Sequence, residues 1–178
     1  MIENEKAKSV INKLVEIVPR EDLNYFFHCT AKTDNKEDII DNLTQRYLNK
    51  DKYNEKKVNS LHSYFIQRHL EESQFTKNLF DYKAQLKRDL DNRRETKEVS
   101  KISLEFSKTK LEPDSMNLTY NETRAKEAQK SFEKVQKRYN SIVELYKEVE
   151  QSQELIEIFG NYEGTLWEQQ KNNSELER

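Results

Sequence analysis

The chain has 178 residues, of which 36% are charged and 34% hydrophobic, with only two glycines and two prolines. This composition disfavours turn-rich β folds and excludes glycine loops that cradle phosphates, because both need residues the chain lacks. Its 31 Lys and Arg nearly balance 33 Asp and Glu, giving a net charge of -2, which argues against disorder of the whole chain.

An all-α fold is expected, with a small N-terminal three-helix unit followed by a long antiparallel helical hairpin. The N-terminal unit covers residues 1–50. Val10, Ile11, Leu14 and Ile17 repeat at helical spacing. Pro19 ends that helix and suits the opening turn of the next, which carries Leu23, Phe26 and Phe27. Asp34 followed by Glu37 resembles a capping box for a third helix with Ile39, Ile40, Leu43, Tyr47 and Leu48. A bundle of about forty-five residues is marginal by itself.

The hairpin covers residues 51–160, with a turn near 112–118. Its first helix starts near Val58. Steps of three and four give Val58, Leu61, Phe65, Arg68, Glu72, Phe75, Leu79, Tyr82 and Leu86, a coiled-coil seam with a polar interruption. Beyond Leu90, Val99, Ile102 and Phe106 lie one residue off the continued pattern. That slip predicts a stutter or break between Arg93 and Lys97. Pro113 stops the helix, and Thr119 with Glu122 reads as the capping box of the next. The second seam holds Ala125, Ala128, Phe132, Val135, Tyr139, Ile142, Tyr146 and Val149. It resumes at Ile156 and Phe159 and ends at Gly160, a residue suited to follow a helix C-terminus. Residues 161–178, with Tyr162, Leu166 and Trp167, read as a partly disordered tail.

The apolar stripes are wider than one helix pair requires. Phe75, Leu79, Tyr82, Leu86, Phe132, Val135, Tyr139, Ile142, Tyr146 and Val149 are therefore expected to bind partner helices, from a second copy or a different chain. Basic residues form two groups, Lys87, Arg88, Arg93 and Arg94 on the first arm and Lys134, Lys137 and Arg138 on the second. A turn near residue 115 would set Arg93 and Arg94 opposite Lys137 and Arg138. The merged patch could contact nucleic acid or an acidic protein surface. Glu144, Glu148, Glu150, Glu154 and Glu157 form an acidic run that reads as a solvated face, with docking of a basic partner as its other use.

No enzymatic chemistry is expected. His62 and His69 are too far apart along a helix to share one metal ion. His28 and Cys29 are adjacent and do not face each other on a helix. No catalytic residue, metal site or cofactor is assigned. With no run of about 18 apolar residues and no signal-peptide pattern, the expected setting is intracellular and soluble, in cytoplasm or nucleus.

Ile11, Leu14, Ile17 and Val18-Pro19, then Leu23 and Phe27, then Ile39 and Leu43, resemble the ubiquitin-binding CUE/UBA-like three-helix pattern. That resemblance implies ubiquitin contact through Val18-Pro19 and the end of the third helix, where Leu43-Thr44 departs from the family's di-leucine. The leading expectation is a non-enzymatic coiled-coil scaffold or adaptor subunit of a larger assembly. The alternatives are a nucleic-acid-associated module and a ubiquitin-binding adaptor.

Overall fold

The computed structural model describes residues 5–26, 35–49, 75–109 and 115–160. Every regular element among them is helical: α1 (Glu5–Ile17), a 3-10 turn (Arg20–Tyr25), α2 (Lys36–Leu48), α3 (Phe75–Lys108), α4 (Ser115–Glu150) and α5 (Gln153–Phe159). The fold is all-α, and the two long helices pack against each other as a hairpin. Residues 58–72 of the expected first seam, the residues His28, Cys29, His62 and His69, and the tail from 161 lie outside the described residues.

The chain divides into two compact units, one made of residues 1–81 and 144–178, the other of residues 82–143. The N-terminal helices are too small to enclose a core, and the first turns of α3 and the last turns of α4 complete it.

In the first unit, α1 buries Ala7, Val10, Ile11, Leu14 and Val15, and it packs on α2 and α5. Phe75 sits in the middle of the aromatic core. Its ring centroid lies 4.3 Å from Phe159, 5.1 Å from Tyr47 in an edge-on arrangement, and 5.9 Å from Phe26. Several polar groups beside this core are hydrogen-bonded, as burial favours. The Tyr47 hydroxyl donates to the Phe26 carbonyl at 2.8 Å and accepts from Asn78 Nδ2 at 2.8 Å. Arg46, itself buried, donates from Nη1 to the same carbonyl.

Helix ends follow local chemistry, with two departures from expectation. Pro19 precedes the 3-10 turn and cannot continue α1. The cap of α2 is Asn35, whose side chain accepts from the Glu37 amide at 3.0 Å; Asp34, the expected cap, lies outside the described residues. Thr119 does not start α4. The helix begins at Ser115, and the Thr119 hydroxyl donates back to the Ser115 carbonyl at 2.9 Å, a bond open to a threonine inside a helix. Ser152 caps α5, and Gly160 ends it with φ 89, a backbone region that glycine enters at no steric cost.

The second unit is the hairpin proper. Leu90, Phe132 and Val135 form its apolar cluster, with Tyr139 packed against them. Arg93 donates to the Ser131 hydroxyl, and Asn121 Nδ2 donates to the Ser107 hydroxyl. Rising numbers on α3 thus meet falling numbers on α4, which makes the pair antiparallel. Helix α3 continues without interruption through Arg93–Lys97, so the expected break is absent. An unbroken helix of 3.6 residues per turn carries the slipped stripe of Val99, Ile102 and Phe106 off the seam instead of back into it.

Candidate partner-binding surface

The residues expected to bind partner helices are covered by this chain. Phe75, Leu79, Tyr82, Leu86, Phe132, Val135, Ile142, Tyr146 and Val149 are all buried, and Tyr139 is half-buried. A stripe with helical periodicity wants a cover, and periodicity alone does not say whose. Here the cover is intramolecular.

Toward the turn the hairpin reverses its pattern. Ser100 and Ser107 of α3 are buried, whereas Val99, Ile102 and Phe106 are 48%, 65% and 66% exposed. Consecutive helical residues are rotated by about 100°, so Val99 and Ser100 cannot both face α4. Small hydroxyl side chains let the two helices approach, and Asn121 holds Ser107 across the seam. The apolar residues are left on the outer side of α3. Met116 and Tyr120, one turn apart on α4, are likewise exposed. A row of large exposed apolar side chains such as that on α3 is the type of surface that marks an interaction site. Sequence reasoning found the slipped residues but placed them in the seam. The buried serines were the missing signal, because serine usually reads as surface.

The expected register set Arg93 and Arg94 opposite Lys137 and Arg138. Arg93 meets Ser131, six residues before Lys137. Lys87 pairs with Asp91 at 3.0 Å, Arg94 lies 3.7 Å from the same carboxylate, and Arg88 donates to Gln85 at 2.8 Å. Arg94 and Lys97 also cover the Phe132 ring, at 5.7 Å and 4.5 Å from its centroid, a cation–π arrangement. Lys134 and Lys137 are exposed and Arg138 is half-buried. The first-arm cluster thus makes contacts within the hairpin while Lys87, Arg88, Arg93 and Arg94 stay exposed.

The acidic run has basic partners inside the first unit. Lys13 donates to both oxygens of Glu148, at 2.9 and 3.1 Å, and Lys6 lies 3.2 Å from Glu154. These exposed pairs orient α1 more than they stabilise it, being worth about 0–1 kcal/mol each. Of the residues that carry the CUE/UBA-like resemblance, Val18 and Leu43 are buried, Pro19 is half-buried, and Phe27 lies outside the described residues. Among the described residues no group of three His, Cys, Asp or Glu side chains could hold a metal ion, and no helix is long and apolar enough to cross a membrane. No protein family, curated protein or solved structure significantly matches the chain.

Proposed function

We propose that this protein is a non-enzymatic helical scaffold or adaptor subunit that joins a larger assembly by helix packing on its hairpin unit. One observation carries the reading: the exposed stripe of Val99, Ile102 and Phe106 on the outer side of α3. Three large apolar side chains spaced by three and four residues match the anchor pattern by which a helix engages another helix or a groove. They stand on a long regular helix, which holds them in a fixed row. The contact surface in this proposal is therefore the outer stripe, and the inner seam serves to hold the two arms together.

Native purification of the tagged full chain, compared with its Ile102→Asp variant, tests the proposal. The wild type should retain a stoichiometric protein partner that the variant releases, with the two chains unfolding at the same urea concentration. Identical sets of co-purifying proteins for both chains would remove the outer stripe as the assembly surface.

A further inference from the structure

The outer face of α3 has two unlike edges. Glu98 and Glu105 each precede a stripe residue by one position, so both flank Val99 and Phe106 on the same side, seven residues apart. Glu95 lies seven residues before Ile102 and extends the stripe with a carboxylate at its N-terminal end. All three glutamates are exposed, and among the described residues no ion pair engages them, although Lys101 and Lys108 follow Glu98 and Glu105 by three positions. Among the described residues the opposite edge, with Asn92, Thr96 and Ser103, carries no charge.

This asymmetry discriminates among occupants. A second copy packed antiparallel on the same face would set Glu98 and Glu105 against their own equivalents, and like charges across a helix pair repel. A second copy packed parallel would set Glu98 against the uncharged Ser103, with no attraction between charges at that pair. A helix with lysine or arginine along one border of its apolar stripe satisfies both features of the face.

Resting on the scaffold reading above, we infer that the outer face of α3 binds an amphipathic helix of another protein whose apolar stripe is bordered on one side by basic residues. The apolar row supplies the contact, and the glutamate edge selects the partner and sets its register.

Three designed 21-residue helical peptides test this, sharing one leucine stripe and bearing lysine, glutamine or glutamate along a single edge. Each is titrated against the full chain by fluorescence anisotropy at low and high salt. The lysine-edged peptide should bind at least tenfold more tightly than the glutamate-edged one, with the gap narrowing as salt rises. Glu98→Lys with Glu105→Lys should invert that order, and Glu122→Lys with Glu127→Lys, elsewhere on the hairpin, should leave it unchanged. Equal affinities for the three peptides, or an order untouched by the Glu98/Glu105 reversal, overturn the inference about the partner. If Ile102→Asp still weakens all three peptides alike, the outer stripe survives as a docking surface and only its charge selectivity is lost. A chain that sediments as a dimer, and becomes monomeric with Ile102→Asp, gives the face to a second copy and also overturns the inference.

Discussion

The two units use the same long helices in opposite ways. In the first, α3 and α4 direct large apolar residues inward, where Phe75 meets Phe26, Tyr47 and Phe159. In the hairpin, Leu90, Phe132 and Val135 form one small apolar cluster, and Tyr82, Leu86, Ala128 and Ile142 are buried as well. Closer to the turn, serines lie inside and Val99, Ile102 and Phe106 lie outside. One stretch of α3 therefore invests its apolar surface in the fold, and the next displays it. The contrast separates apolar residues that the fold buries from apolar residues it leaves at the surface.

Mutations can break this contrast at several depths. The largest effect should come from Phe75→Ala, which opens a cavity among three aromatic neighbours. Such truncations cost about 3–5 kcal/mol, so the midpoint of urea unfolding, followed by circular dichroism, should fall steeply. Leu90→Ala removes one member of a much smaller cluster and should cost less, about 2 kcal/mol. Equal losses at Phe75 and Leu90 would show that the hairpin core is as consequential as the aromatic one. Ser100→Ala has the opposite sign. The buried Ser100 hydroxyl has no hydrogen-bond partner. Deleting it removes an unpaired polar group and improves helix propensity, for a gain of about 0.5–1 kcal/mol. Ile102→Asp should be nearly silent in the same measurement, within about 0.5 kcal/mol, since the side chain it replaces is already in solvent. A large loss there would mean that the outer stripe belongs to the fold.

Much of the architecture is legible in the sequence. The spacing of Phe132, Val135, Tyr139, Ile142, Tyr146 and Val149 announces a long helix, and the stop at Pro113 announces its reversal. Gly160 marks the end of a helix, although the helix it ends is the short α5, set off from α4 by the Ser152 cap. What periodicity cannot convey is which surface covers a stripe. Phe75 and Tyr146 look the same to a sequence reader whether a partner or the chain's own N-terminal helices lie against them. The register between the arms was legible only approximately, because it depends on which small residues allow close approach. Ser107 opposite Asn121 sets that register, and neither residue stands out in a hydrophobic pattern. The outer stripe was visible as three residues out of phase. Recognising it as a surface required knowing that α3 runs straight through the point where a break seemed necessary.

The hydroxyl of Thr76 donates to the carbonyl of Gly160 at 2.6 Å and reaches that of Phe159 at 3.4 Å. In sequence, the Thr76–Gly160 contact spans 84 residues, whereas Asn121 and Ser107 are separated by 14. Loop closure grows only logarithmically with length, but the difference is still about 1.6 kcal/mol against the longer loop. The hairpin unit can zip from contacts near in sequence, while the junction of α3 with α5 must wait until the chain has gone out and returned. Loop-closure entropy therefore favours pairing of the arms ahead of the Thr76 tie, an order that hydrogen-exchange labelling during refolding would check.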